Sequence, residues 1–143
     1  MRRLFGGGLV AALALLPAAS LAAPPATLTV TVLGAGRQGD VRAMVFDNAP
    51  GFEGRTGPVA AFIRQPANGR AVFVVSELPP GHYAVAVFQD ENGNGRLDTN
   101  RLGVPIEPVG FSNDAAGLFG PPDFAAASFT LETSDLALAI HLR

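Results

Sequence analysis

The chain has 143 residues, no cysteine and a formal net charge of −2, from 10 basic residues, all of them arginine, against 12 acidic ones. Without cysteine no disulfide can staple the fold, so a hydrophobic core must hold it, and about 120 residues suffice for one core. Arginines scattered along an acidic chain argue against nucleic acid or an anionic membrane as partner, because both require clustered cations.

The N-terminus reads as an export signal. Met1-Arg2-Arg3 is positive, an apolar run covers residues 9–16, Pro17 breaks it, and small Ser20 and Ala22 suit the −3 and −1 positions of a signal peptidase site. The expected cut follows Ala22, with Ala23 as the neighbouring option. The apolar run is far shorter than the roughly 20 residues that span a bilayer, and no second run of that length follows. Residues 1–22 are therefore expected to be a signal peptide and residues 23–143 one domain, periplasmic or secreted, with no integral membrane segment after cleavage. Loss of Arg2 and Arg3 leaves 8 arginines against 12 acids, a charge of −4.

Beyond the signal, short runs of period-2 alternation are bounded by Gly, Pro, Asn and Asp, which predicts strands. In residues 27–33, Leu28, Val30 and Val32 share one face and three threonines the other. Further strands are expected at 41–46, 59–64, 70–75, 82–88, 128–131 and 136–142, the last with Ala137, Ala139 and His141 facing out. Asn68-Gly69 is a hairpin-turn signal, since both residues tolerate positive φ. Pro79-Pro80-Gly81 sets the entry to the fifth strand, and Tyr83 just after it suits a corner tyrosine whose hydroxyl ties back to nearby backbone. Seven short strands in this length predict an all-β fold, an immunoglobulin-like or transthyretin-like antiparallel β-sandwich.

Between Gln89 and Asp123 the alternation fails for about 35 residues, long for a structureless segment in a compact domain. Leu97, Leu102, Val104, Ile106, Val109, Phe111, Leu118, Phe119 and Phe124 lie there, which predicts a packed irregular lobe pinned by its own apolar side chains.

The lobe opens with Asp90-Glu91-Asn92-Gly93-Asn94-Gly95-Arg96-Leu97-Asp98. Oxygen side chains at positions 1, 3, 5 and 9 with Gly at 6 form the first part of a calcium loop, because Ca²⁺ takes six to eight hard oxygens and the glycine permits the sharp turn. On that template Asp90, Asn92, Asn94 and Asp98 supply side chains and Arg96 its backbone carbonyl. Position 12 is Arg101 instead of a bidentate Glu, so the remaining ligands would come from Asn100, Asn113 or Asp114, from a neighbouring loop carrying Asp40 or Asn68, or from water. Three acids against two arginines over residues 90–101 attract a dication weakly. The other reading is a metal-free turn held by side-chain to backbone hydrogen bonds.

No catalytic constellation stands out. His82 and His141 both fall inside strand runs, Ser112 and Ser128 lack a nucleophile-elbow context, and two histidines without a spacing motif cannot fill a zinc site.

The run from Leu78-Pro79-Pro80-Gly81-His82-Tyr83 through the loop to Asp98-Thr99-Asn100, followed by Leu102-Gly103-Val104-Pro105, Gly110-Phe111-Ser112-Asn113 and Phe119-Gly120-Pro121-Pro122, resembles the DUF2141 family of exported bacterial proteins over residues 28–142. The resemblance implies a periplasmic or secreted β-sandwich and no particular activity. Pro-Pro-Gly-x-Tyr before an Asp/Asn loop is also similar to Cna-B-type and carboxypeptidase regulatory-type modules, a fold-level analogy. The expected function is a non-enzymatic envelope or secreted domain with a structural or binding role toward a protein or glycan, with calcium in the 90–98 loop. The alternative is a small periplasmic hydrolase or carbohydrate-binding module working through residues 90–124.

Overall fold

Alternation of threonine with leucine and valine makes β1 (Ala26–Leu33) a strand with one buried face, and it is the middle strand of the smaller of two sheets. The computed structural model describes residues 21–143. The expected signal peptide therefore lies outside the described residues, apart from its last two positions.

The remaining elements follow as β2 (Asp40–Phe46), α1 (Ala49–Phe52), β3 (Ala60–Arg64), β4 (Arg70–Leu78), β5 (Gly81–Asp90), β6 (Val109–Phe111), a 3₁₀ turn (Ser112–Asp114), α2 (Phe124–Ala127), β7 (Phe129–Leu131) and β8 (Leu136–His141). One sheet has the order β4-β1-β8. The other has the order β3-β2-β5-β6, with β7 also paired to β5. Leu28, Val30, Val32, Phe73 and Ile140 from the first sheet meet Val41, Ala43, Val45, Val85 and Val87 from the second in one core. Each large side chain buried there contributes about 1.5–3 kcal/mol. Among the described residues no helix is long and apolar enough to cross a membrane.

All seven expected strands are present, and Ala137, Ala139 and His141 face outward from β8 as expected. Two features differ from expectation. An eighth strand, β6, sits where alternation fails; its three residues, with Gly110 in the middle, are too few to show a period. And the strands are not all antiparallel, because β8 pairs parallel with β1, Leu28 opposite Leu136 through Leu33 opposite His141. Alternation reports which face a residue takes but not which neighbour a strand chooses. Here β1 and β8 are joined by the whole chain between them, which passes through the larger sheet and returns to the smaller one after β7, and so supplies the long connection that parallel pairing needs.

Asn68 (φ 52°) and Gly69 (φ 75°) form the expected turn, with Ala67 and Arg70 exchanging hydrogen bonds at 2.8 and 3.1 Å. The hairpin ends there, since β3 pairs with β2 and β4 with β1. The Tyr83 hydroxyl donates to the Pro79 carbonyl at 2.7 Å, the expected tie-back. Burial, and secondarily the charge of Asp47, push the Tyr83 phenol above its ordinary value.

The lobe is pinned by fewer side chains than expected. The Phe52 ring meets Phe46, Phe111 and Phe124 edge-on at centroid distances of 5.6, 5.9 and 6.1 Å, and these contacts fasten α1, β6 and α2 together. Leu102, Val104, Ile106, Leu118 and Phe119 are exposed instead of packed. Once Phe111 and Phe124 occupy the surface beside β5, the Gly- and Pro-rich turns hold the other apolar residues away from the core.

Candidate functional site

The 90–98 loop begins where β2 and β5 stop pairing, with Asp40 opposite Asp90. Asp90 is fully buried. Its Oδ1 accepts the Asn94 amide at 3.1 Å, and its Oδ2 accepts the Gly95 amide at 2.8 Å and Arg42 Nε at 2.9 Å. Burial works against ionisation, but the Gly95 amide, the Arg42 guanidinium and the Asn94 amide outweigh it and hold this carboxyl below the usual aspartate value. Gly93 and Gly95, at φ 73° and 81°, let the chain fold back over the carboxylate.

Further around the loop, Asn92 Oδ1 accepts the Asn94 amide at 3.0 Å and Asn94 Oδ1 accepts the Arg96 amide at 2.9 Å. The side-chain nitrogen of Asn94 donates to both Asp98 oxygens, at 2.8 and 3.0 Å, and that of Asn92 donates to Asp98 Oδ2. Four of the five expected site residues thus bring side chains into one cluster, and Arg96 joins it through its amide. Asp40 is delivered next to the loop, whereas other candidates are engaged elsewhere. Asn100 accepts the Leu102 and Val104 amides of its own turn, and the Asn113 side chain donates to the Ala126 and Ser128 carbonyls.

Glu107 is the residue that sequence reasoning missed. It is buried, its Oε1 accepts the Glu91 amide and its Oε2 the Asp98 amide, both at 2.9 Å, so one carboxylate ties the two ends of the loop. The available signal was a lone acid between Pro105 and Pro108 in an apolar stretch.

As a cation site this set offers hard oxygens, the right chemistry for Ca²⁺. Among the described residues, however, no three His, Cys, Asp or Glu side chains converge on one point. The Asn92 and Asn94 amides also present nitrogen, not oxygen, to Asp98.

Beside the loop lies a cleft of about 780 Å³ walled largely by apolar side chains, among them Leu102, Val104, Phe111, Leu118 and Phe119. Its polar side chains are Thr99, Asp114, His141 and Arg143. Asp114 Oδ1 accepts the His141 backbone amide at 2.9 Å and Oδ2 meets His141 Nδ1 at 2.8 Å. The His141 amide does most to hold the Asp114 carboxyl below its ordinary value; partial burial opposes this, while the His141 ring and the charge of Arg143 reinforce it. That His141 faces outward was legible in the β8 pattern; that a turn of the lobe would bring it a carboxylate was not.

Gly110 explains how β6 comes so close to β8. A Cβ there would lie 2.7 Å from the His141 carbonyl oxygen and from Ile140 Cγ2. Val109 and Arg143 exchange backbone hydrogen bonds at 2.9 and 3.1 Å, joining the edges of the two sheets under the cleft.

No curated protein and no solved structure matches the chain. The family model described as "Uncharacterized protein conserved in bacteria (DUF2141)" matches residues 30–138, which take in both sheets, the Asp90 loop and most of the cleft. With more than half of its length so matched, the chain belongs to the DUF2141 family.

Proposed function

We propose that this is an exported, non-enzymatic binding domain, periplasmic or secreted, which meets its ligand at the apolar cleft while the 90–107 segment serves as a rigid wall. Two facing sheets around one core support the finer reading of an immunoglobulin-like or transthyretin-like sandwich. The observation that carries the binding role is the cleft rim: Leu118 is 94 % and Phe119 104 % exposed, a cost in water that a structural filler does not incur. The concavity is also within the range of small-ligand sites, about 300–1,000 Å³.

The test is binding of the apolar dye 1-anilinonaphthalene-8-sulfonate to the purified protein and to a Leu118→Asp, Phe119→Asp double variant. Both side chains already face water, so the variant should keep its thermal unfolding midpoint and bind the dye roughly tenfold more weakly, since apolar burial contributes about 0.8 kcal/mol per CH₂. Undiminished binding would remove the cleft from consideration.

Calcium belongs to this proposal as a clip on the wall. An exported domain meets enough of it for a weak site, as extracellular modules bind in the range of about 10⁻⁴–10⁻³ M. At about 100 times its dissociation constant, Ca²⁺ should stabilise the protein by roughly 2.7 kcal/mol, reversed by EGTA and absent in Asp98→Ala, which loses a ligand but no backbone tie. No change in midpoint at saturating millimolar Ca²⁺ leaves the loop a metal-free turn.

A small hydrolase is the second reading, favoured by the Asp114–His141 pair, which has the geometry of an oriented base. The cleft lining contains one hydroxyl side chain, Thr99, and no hydrogen bond joins it to His141. The pair therefore supports recognition better than nucleophilic attack.

A further inference from the structure

The chemistry the cleft accepts is written in the Asp114–His141 pair. An ionised carboxylate accepts hydrogen bonds and donates none. Both Asp114 oxygens face His141, one at its amide and one at Nδ1, so Nδ1 carries a hydrogen. In the neutral ring the lone pair then sits on Nε2, which has no hydrogen-bond partner among the described residues. His141 lines the cleft, so this acceptor belongs to an otherwise largely apolar surface.

The pair is held deliberately. Asn113 and Asp114 are consecutive non-glycine residues in the left-handed region, at φ 61° and 48°. Such a conformation costs on the order of 1 kcal/mol per residue, and it persists only where the surroundings fix it. Here the buried Ser112 hydroxyl donates to the Ala127 carbonyl and accepts the Val85 amide, while Asn113 is tied to α2 and the residue after it. The strained turn delivers the carboxylate to the imidazole.

We infer that the cleft takes a small amphipathic molecule with an apolar body and a hydroxyl donor, the body against Leu102, Leu118 and Phe119 and the O–H donated to His141 Nε2. This rests on the reading of the cleft as the ligand site. An acid in the same place would set its carboxylate against the Nε2 lone pair and the charge of Asp114, with Arg143, already acting on Asp114, the one cationic side chain of the lining to offset them. A pure hydrocarbon would leave the nitrogen dry and unpaired, which is unfavourable.

Three probes of one shape separate these cases: p-cresol, toluene and 4-methylbenzoate, titrated into the purified protein by ¹H–¹⁵N NMR at about pH 8, where a phenol keeps its proton and a benzoate is ionised. p-Cresol should bind roughly tenfold more tightly than the other two, with shifts centred on His141 and the cleft. His141→Phe should bind p-cresol and toluene about equally, toluene more tightly than the wild type does because no ring nitrogen is left unpaired. Asp114→Asn should reduce the preference, because an amide can donate to Nδ1 and move the ring hydrogen to Nε2. The inference is overturned if wild-type protein does not prefer p-cresol, if 4-methylbenzoate binds best, or if His141→Phe keeps the preference while remaining folded. Binding of none of the three overturns the cleft reading itself.

Discussion

Alanine in place of Gly39 is expected to cost about 4 kcal/mol, a large share of the roughly 5–15 kcal/mol that holds a domain folded. Two causes add. Gly39 has φ 78°, a conformation that costs an L-residue about 1 kcal/mol. A Cβ would also stand 1.9 Å from the Asp90 carbonyl oxygen and 2.7 Å from Glu91 Cα, so backbone must move, not a flexible side chain. Gly54 provides the control, with φ 80° and nothing within 4 Å of an added Cβ. Gly54→Ala should cost only the conformational part, about 1 kcal/mol. Urea unfolding of the two variants measures the difference, and equal costs would mean that the approach of residue 39 to the start of the loop is not tight.

The second large effect concerns Asp90. Its carboxylate is the point on which Gly95, Asn94 and Arg42 converge, and Asp90→Ala removes all three bonds while leaving Arg42 without its partner. The thermal midpoint at pH 7 should fall by about 10 °C. The pH dependence carries the sign. Because the folded carboxyl titrates below its unfolded value of about 3.9, its contribution is complete above that value and is lost as pH falls toward the folded one. Asp114 is lowered too and acts in the same direction. Asp90→Asn should therefore flatten part of the acid limb of the stability curve and Asp114→Asn another part. An Asp90→Asn curve parallel to wild type below pH 5 would show that the carboxylate is not held as described.

These two residues also show how much was legible in the amino-acid sequence. The strands were readable because each has a buried and an exposed face, and the loop because oxygen side chains alternate with two glycines. Gly39 was not singled out, since its necessity comes from a strand that follows about 50 residues later. The same holds for Glu107 and for Asp114 with His141: each acts on a partner that topology alone delivers. The reading of the lobe failed for a related reason. Counting its apolar side chains overlooked how little core surface remains beside β5 once Phe52, Phe111 and Phe124 have taken it.

The parallel pairing of β1 with β8 has a consequence for how the chain reaches this structure. Among the described residues the first strand in the chain, β1, lies between β4 and β8, and its buried side chains stay incompletely covered until β8 has been synthesised. Such long-range closure gives a high contact order and slow folding. On the export reading this delay is useful: a chain whose smaller sheet cannot close until β8 is free stays threadable through a translocation pore, and folds after it has crossed.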